Sequence, residues 1–344
     1  MKFDFIIGNP PYQDETVGEQ KTFAPPIYHL FMDEAYKVGD RVELIHPARF
    51  LFNAGSTPKE WNRKMLADPH YKVIIHEQDS SKVFPNTDIK GGVAITYRDK
   101  RRLFGAIGTF TSFPELNKIL HKVIEYQDFK SLSDIIITRT AYRFTDKMHE
   151  EHPEAKGMLS NGHPYDMATN IFDSLPHLFF DIKPDDGKEY VQMYGRENNS
   201  RVYKYVRSDY VNQVKNLYKF KVFVPAANGS GALGEVMATP VIGHPVIGHT
   251  ESFVSIGCFD TEIETISLMK YIKSKFARCM LGVLEVTQHN PPEKWKYVPL
   301  QDFTPASDID WTASIPDIDK QLYAKYDLDE KEIEFIETHV KEMQ

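Results

Sequence analysis

Residues 3 to 12 of this chain read Phe3-Asp4-Phe5-Ile6-Ile7-Gly8-Asn9-Pro10-Pro11-Tyr12. The short apolar run that ends at Ile7 predicts a buried strand, and the prolines after it cannot donate hydrogen bonds to a sheet. Each proline also restricts the residue before it to extended conformations. We therefore expect the carboxamide of Asn9 and the carbonyl of Pro10 to face one point, with the flat ring of Tyr12 beside it.

Two fixed acceptors next to an aromatic ring suit a planar group that carries an amine, such as an adenine turned out of its helix. Acceptance of both amine protons would concentrate electron density on the nitrogen, which could then attack a methyl sulfonium before losing a proton. The alternative is a proline-stiffened turn without chemistry. A second Asn-Pro-Pro begins at Asn290, but it follows polar residues and lacks an aromatic residue in fourth place, so we interpret it as an ordinary loop.

Asn-Pro-Pro-Tyr after an apolar strand is shared by DNA methyltransferases that modify an exocyclic amine. On this motif and the elements after it, the chain resembles the gamma-class, adenine-specific DNA methyltransferases of restriction-modification systems, including the Taq-type and type IIG methylases. The resemblance implies that Asn9 and the Pro10 carbonyl, held by Pro11, bind the target amine of a flipped adenine, and that Tyr12 stacks on the base. It also implies double-stranded DNA as substrate and S-adenosylmethionine as methyl donor.

A second aromatic residue packs against the flipped base in that family. Tyr97 is the position carried over, with Phe84 of the Val-Phe-Pro element in reserve. Stacking on an extruded base contributes roughly 1–3 kcal/mol, which helps to offset the cost of unstacking it. The alternative for Tyr97 is a half-buried strand tyrosine.

The elements after the motif predict an α/β fold with a partial Rossmann-like sheet. A helix over 27–38 and a strand over 41–46 complete a βαβ unit with parallel strands. A helix over 61–66 and strands over 71–76 and 92–97 follow. We assign residues 1–101 to the catalytic half of the methyltransferase domain.

After about residue 102 the βαβ rhythm is lost. By the resemblance, residues 102–304 form a mixed α+β target-recognition domain, and 305–344 form an acidic tail with helices over 315–326 and 330–342. A long helix is predicted over 261–284. The glycine pattern at 229–234 fits a nucleotide fingerprint, but the prolines and repeated glycines after it prevent the helix that such a site requires, so a loop is favoured.

The chain has 344 residues and a net charge of −8, which looks unfavourable for DNA binding until the charges are located. Eleven acidic residues and four lysines lie in 307–344, whereas 188–221 carries a net charge of +5. Such a stretch suits phosphate contacts, although a solvated charged face is the alternative. The candidate DNA contacts are basic side chains of the recognition region: Arg139, Arg143, Arg196, Arg201, Lys204 and Lys273.

A complete enzyme of the resembled class places its donor-binding half before the Asn-Pro-Pro-Tyr motif. We therefore expect an incomplete S-adenosylmethionine site and an open sheet edge at residues 3–7, to be completed by an amino-terminal half or a partner subunit. Two cysteines, no apolar run of about 18 residues and no signal peptide predict a cytoplasmic protein that does not enter membranes.

Three other functions stay open. A recognition module without catalysis is the main alternative. A nuclease would use the carboxylate-lysine spacing of Glu154 and Lys156, but no suitable Pro-Asp pair precedes it. A methyltransferase acting on protein glutamine is disfavoured by the long domain after residue 100. His244 and His249 lack a third ligand at useful spacing, so no metal site is predicted.

Overall fold

The computed structural model describes residues 2–14, 24–227, 233–284 and 290–343. Its contacts divide the chain into two compact units, Met1–Asn117 and Lys118–Gln344. Both units mix helices with sheets, as the α/β prediction requires. None of the helices in the described ranges combines the length and apolar character needed to cross a lipid bilayer.

The first unit is built on one four-stranded sheet. Its elements are β1 (Phe3–Gly8), α1 (Tyr28–Val38), β2 (Gly39–Pro47), α2 (Lys59–Ala67), β3 (Tyr71–Glu77) and β4 (Val93–Asp99). The strand order is β1-β2-β4-β3. β1 and β2 are parallel, which confirms the predicted βαβ unit, and β4 is antiparallel to both of its neighbours.

The core of this unit lies on one face of the sheet. Met32 of α1, Tyr71 of β3 and the turn residues Phe50 and Leu51 are fully buried there. β1 contributes little to that core: Phe3, Phe5 and Ile7 are 43%, 47% and 70% exposed. The prediction that this run is buried is therefore wrong for these side chains, whereas the expected open edge is present, because β1 is the outermost strand and pairs only with β2 among the described residues.

Among the described residues, the second unit contains a three-stranded sheet, a four-stranded sheet and helices. Its elements are α3 (Pro114–Ile124, which contains the division between the units), β5 (Ile136–Ile137), α4 (Asp146–Glu151), α5 (Ala155–Met158), α6 (Ile171–Ser174), β6 (Tyr190–Glu197), β7 (Ser200–Arg207), β8 (Phe220–Pro225), β9 (Val241–Gly243), β10 (Ile247–His249), β11 (Phe253–Phe259), α7 (Glu262–Lys273), α8 (Lys275–Leu281), α9 (Ile315–Lys325) and α10 (Glu330–His339). The strand orders are β10-β6-β7 and β5-β11-β8-β9.

The long helix predicted over 261–284 is interrupted at Ser274. Its backbone is extended, and its hydroxyl accepts a hydrogen bond from the Ala277 N–H, so it caps α8. The buried Asp319 carboxylate of α9 accepts from the N–H groups of Lys275 and Phe276, at 3.1 and 2.9 Å. These acceptors satisfy the amide groups that a new helix start leaves open.

The two acidic helices predicted near the end of the chain are present as α9 and α10. Asp329 and Glu332 form a capping box at the start of α10. Glu332 is almost completely buried and accepts a hydrogen bond from Lys122 at 2.7 Å. The residues predicted as a separate tail thus pack within the second unit, and the division into 1–101, 102–304 and 305–344 stays a prediction.

Candidate functional site

The Asn-Pro-Pro-Tyr motif begins directly after β1. The last pair in the ladder joins Gly8 to Leu44, and Asn9 follows it as an exposed residue. Within the described ranges the Asn9 carboxamide makes no hydrogen bond to protein, so its oxygen and its NH2 group are both available to a ligand. Because Pro10 and Pro11 have no N–H group, the backbone here adds no competing donor.

The backbone of Tyr12 and Gln13 is held by residues 26 and 27. Its carbonyl accepts a hydrogen bond from the Ile27 N–H at 3.1 Å, and the next residue, Gln13, forms a β-bridge with Pro26. The Tyr12 hydroxyl is buried and has no partner in the described part of the chain. Burial raises the pKa of Tyr12 to about 12, so the phenol is neutral at physiological pH.

A cavity of about 450 Å³ opens beside Tyr12. Its lining includes Tyr28, Arg49, Asp88 and Lys90, so an apolar wall meets charged groups of both signs. Its volume lies in the range of about 300–1,000 Å³ that is usual for small-molecule sites. Asn9, Pro10 and Pro11 do not line it, and the cavity therefore starts at the ring of the motif.

Tyr28 forms the rigid part of that lining. It is 4% exposed, and its ring is stacked on His46 with 5.8 Å between centroids and 3° between planes. His46 Nε2 and the Thr96 hydroxyl are hydrogen-bonded at 2.8 Å. Burial lowers the pKa of His46 to about 4, so the imidazole is a neutral packing element of this wall.

The two aromatic residues considered as second base contacts lie in different places. The Phe84 ring meets the Tyr12 ring edge-on at 6.3 Å. Tyr97 lies on β4 opposite Glu43, its ring is 6.4 Å from Phe5, and its hydroxyl donates to Asp99 at 3.2 Å. Phe84 is thus the candidate whose ring contacts Tyr12, whereas Tyr97 is level with Ile7 in the sheet and its ring contacts Phe5.

Arg49 was not predicted from the sequence, and its side chain lies against Gly91. A Cβ atom on Gly91 would lie 2.7 Å from Arg49 Cγ, so a side chain there would displace the arginine. Gly92 has φ +76°, and a Cβ atom on it would lie 2.2 Å from the Glu77 carbonyl oxygen. The Gly91-Gly92 pair directly before β4 was the signal available in the sequence, since paired glycines mark close backbone approach.

The candidate DNA contacts of the second unit differ in exposure and in ion pairing. Arg196 is exposed, and Lys273 is half-buried at the end of α7. Arg139 lies 3.8 Å from Glu251, and Arg143 lies 3.0 Å from Asp166, with both guanidinium groups about half-exposed. Their roles as DNA contacts stay predictions.

Arg201 and Lys204 are more constrained. Arg201 donates to the Thr239 carbonyl at 2.7 Å and lies over the Phe253 ring. Lys204 is buried between Asp181 at 2.7 Å and Glu197 at 3.0 Å. A phosphate contact by Lys204 would have to displace two carboxylates.

The stretch 188–221 does not form the continuous cationic surface that its composition predicts. Arg207 is paired with Glu151 and Asp209, Lys219 is paired with Asp260, and Lys221 is fully buried. Three of the eight counted cations, Lys204, Arg207 and Lys219, are thus paired with carboxylates from outside the stretch, which a local sum leaves out.

Other sequence signals have plain outcomes. The glycine pattern begins at Gly229, which lies outside the described residues. His249 is buried, with its ring nitrogens within hydrogen-bond distance of the Thr250 carbonyl at 3.0 Å and the Ser255 hydroxyl at 3.1 Å. His244 is exposed, and its carbonyl accepts a hydrogen bond from Lys221.

Glu154 lies beside His152 and His177, a grouping that sequence spacing did not reveal.

The incomplete S-adenosylmethionine site of the first unit stays a prediction. Such a donor site in an open α/β sheet needs further strand ends beside the catalytic loop. In residues 2–14 and 24–117 nothing pairs with the outer edge of β1. We therefore derive no step through a methyl donor from these residues.

Comparison with known proteins identifies the class that the first unit resembles. Residues 1–84 match the family described as "Eco57I restriction-modification methylase". This segment contains the whole Asn-Pro-Pro-Tyr motif, the strands β1, β2 and β3, and Phe84. The matched part of the chain is thus similar to restriction-modification methylases.

Two particular proteins can be named. The "Uncharacterized adenine-specific methylase" of Mycoplasma pneumoniae (strain ATCC 29342 / M129 / Subtype 1) is 34% identical over 95 residues, which are 27% of this chain and 22% of that protein. The chain thus spans about a fifth of that relative's length. The type IIG restriction endonuclease BpuSI aligns with 92% of this chain and 48% of its own at 10% identity, but a TM-score of 0.30 does not establish a shared fold.

Proposed function

We propose that this chain is the base-binding and DNA-recognition part of an adenine-specific DNA methyltransferase of a restriction-modification system. The observation that carries the proposal is the exposed, unbonded Asn9 carboxamide at the end of β1, followed by two prolines and a fixed Tyr12. The similarity of residues 1–84 to restriction-modification methylases supports it. The adenine specificity rests on the motif and on the name of the Mycoplasma pneumoniae relative.

The proposed chemistry at Asn9 concerns the target amine. The carboxamide oxygen and the Pro10 carbonyl each accept one proton of the amine, which holds the nitrogen lone pair out of conjugation with the ring. Tyr12 stacks on the flipped base, and Phe84 supports the Tyr12 ring from its edge. Because the Tyr12 phenol is neutral, the stack places no negative charge beside the electron-rich base.

The proposed methyl donor is S-adenosylmethionine, which supplies an electrophilic methyl group when bound. We infer that its binding groups come from an amino-terminal half or a partner subunit that pairs with the open edge of β1. The exposed Phe3, Phe5 and Ile7 support this inference, because a long apolar edge left open invites association with another strand. Double-stranded DNA is the proposed partner of the second unit, with Arg139, Arg143 and Arg196 as the freest of the predicted contacts.

The test is methylation in a bacterial host that lacks adenine methylation. The chain is expressed alone and together with the product of the adjacent upstream gene, and N6-methyladenine is mapped in host DNA by single-molecule sequencing. We expect methylation at one sequence motif in the co-expression strain. Asn9→Ala should abolish it while DNA binding in gel-shift assays changes less than about twofold.

The matched control is Asn161→Ala, which removes an exposed carboxamide in the second unit. We expect it to methylate like the parent chain. Methylation by Asn9→Ala at the parent level would contradict the assigned role of Asn9. Equal loss of methylation and DNA binding in Asn9→Ala would show that the residue serves the fold or the DNA contact instead.

A further inference from the structure

Three side chains of the second unit converge at a point that the proposed function does not use. His152 follows α4, Glu154 lies two residues later, and His177 lies in a short 3-10 turn, Pro176–Leu178. Glu154 Oε1 lies 3.3 Å from His152 Nδ1 and 3.5 Å from His177 Nε2. The ligand atoms of the three residues all lie within 4.8 Å of one another.

The hydrogen bonds of Tyr210 determine which nitrogen of His152 carries a proton. The Tyr210 hydroxyl donates to Glu151 Oε2 at 2.6 Å and accepts from Arg207 at 2.7 Å. His152 Nε2 lies 3.0 Å from the same hydroxyl oxygen. With the hydroxyl proton directed to Glu151, the imidazole would donate from Nε2 and accept at Nδ1.

That tautomer leaves the Nδ1 lone pair of a neutral His152 directed at the Glu154 carboxylate. Two electron-rich atoms at 3.3 Å repel each other unless a positive centre lies between them. His177 Nε2 adds a third donor to the same carboxylate oxygen. A metal ion shared by all three groups would relieve this repulsion, as would a proton on His152 Nδ1.

The distances suit a tetrahedral metal ion. Zinc bonds of about 2.0–2.1 Å to nitrogen and oxygen separate neighbouring tetrahedral ligands by about 3.4 Å, close to the two contacts of Glu154. Two histidines and one carboxylate are a usual ligand set for this ion. A hydrogen bond from the second ring nitrogen, as His152 makes to Tyr210, orients such ligands in known sites.

We propose that His152, Glu154 and His177 form a binding site for a divalent transition-metal ion of the zinc type. The side chains are 26%, 54% and 41% exposed, so an ion can enter from solvent. Both histidines also line a cavity of about 480 Å³, which leaves the fourth coordination position open to water. The ion links the segment after α4 to the turn at 176–178 and thereby stabilises the second unit.

The experiment uses the full chain without an affinity tag, freed of metal by dialysis against a chelator. Zinc chloride is titrated by isothermal calorimetry, and cobalt chloride is added in parallel to record the visible absorption of tetrahedral Co²⁺. We expect one ion per chain, a tetrahedral cobalt spectrum and a higher melting temperature with zinc. His177→Gln and Glu154→Gln should each weaken zinc binding at least about tenfold.

Two further variants separate ligation from folding. Tyr210→Phe keeps all three ligands but removes the hydroxyl that fixes the His152 tautomer, so affinity should fall by about 10- to 100-fold. His163→Gln is the control, because His163 pairs with Asp166 at 2.8 Å outside the cluster, and zinc binding should be unchanged. Metal-free His177→Gln should melt at the same temperature as the metal-free parent chain.

Failure of the parent chain to bind zinc or cobalt would overturn the proposal and would leave a proton as the shared cation. Zinc binding of equal strength in the parent chain and in His177→Gln would also overturn it. Both results are independent of methyl transfer, so they leave the proposed function standing.

Discussion

Replacement of Lys221 by methionine tests whether a lysine counted as surface charge is in fact a structural group. The Lys221 side chain is fully buried on β8. Its Nζ donates to the carbonyls of Asn216, Leu217, Lys219 and His244, at 3.0, 3.2, 2.9 and 2.9 Å. An ammonium group with three protons thus serves four acceptors.

The cost of Lys221→Met follows from these acceptors. The Asn216 and Leu217 carbonyls keep backbone donors, from Lys219 at 3.2 Å and Val246 at 2.8 Å. The Lys219 and His244 carbonyls have no other donor in the residues that the structure describes. An unsatisfied buried acceptor costs about 1–3 kcal/mol, and these two carbonyls are only part-buried, so we expect Lys221→Met to lose about 1–3 kcal/mol of unfolding free energy in all at pH 9.

The same burial predicts a pH dependence. Burial lowers the pKa of Lys221 from 10.5 to about 7, whereas the unfolded chain keeps the ordinary value. Between pH 7 and 10.5 the unfolded state binds more protons, so the stability of the parent chain rises with pH in this window and is lowest at and below pH 7. From pH 7 to pH 9 the gain is about 2 kcal/mol, and Lys221→Met should lack it.

The assay is urea unfolding of both proteins at pH 7, 8 and 9, followed by tryptophan fluorescence. Lys219→Met is the matched control, since Lys219 is paired with Asp260 at the surface and should change stability by less than about 1 kcal/mol. Cys258→Ser controls for the coulombic effect of the nearby Cys258 on the pKa of Lys221. A stability difference between parent and Lys221→Met that is flat from pH 7 to 9 would refute the reasoning, because the four carbonyls would then hold the ammonium charged throughout.

Two further predictions concern the first unit. Tyr12→Phe should unfold at the parent temperature or above it in a thermal melt, because it removes a buried hydroxyl without a partner in the described residues. Tyr12→Ala should bind target DNA about 5- to 150-fold more weakly in fluorescence anisotropy, because it loses about 1–3 kcal/mol of stacking. DNA binding by Tyr12→Phe as weak as that of Tyr12→Ala would show that the hydroxyl, not the ring, makes the contact. Gly92→Ala should lower the unfolding free energy by about 1–3 kcal/mol more than Gly105→Ala, because both have positive φ but only Gly92 has a backbone oxygen within 2.2 Å of the added Cβ atom. Equal losses in urea unfolding would mean that the strand after Gly92 shifts freely.

Local sequence was sufficient to predict the elements around the motif. The βαβ unit, the strands β3 and β4 and the helices α9 and α10 follow from short apolar periodicity and from proline and glycine at their ends. Ser274 shows what such reasoning misses. The apolar pattern continues through it, but its hydroxyl and the distant Asp319 together make a new helix start more favourable than continuation.

The candidate sites depended on contacts that are distant in sequence. Asn9 and Tyr12 could be found because the motif is contiguous and follows a strand. Phe84 was separable from Tyr97 only by register and by ring distances. Lys204 and Lys221 looked like phosphate ligands, since the carboxylates and carbonyls that engage them come from residues up to 23 positions away.

The structure separates two parts of the proposed reaction. The groups proposed to bind the target amine belong to residues 9–12, of which Tyr12 is held by the Ile27 backbone. The groups that would hold the methyl donor are expected beyond the open edge of β1. We therefore expect base binding to depend on residues 9–12 and methyl transfer to depend also on pairing at that edge. Ile7 is 70% exposed, and Ile7→Lys would place a charge at this edge. We expect Ile7→Lys to impair methyl transfer by the assembled enzyme and to leave base binding by the chain alone intact.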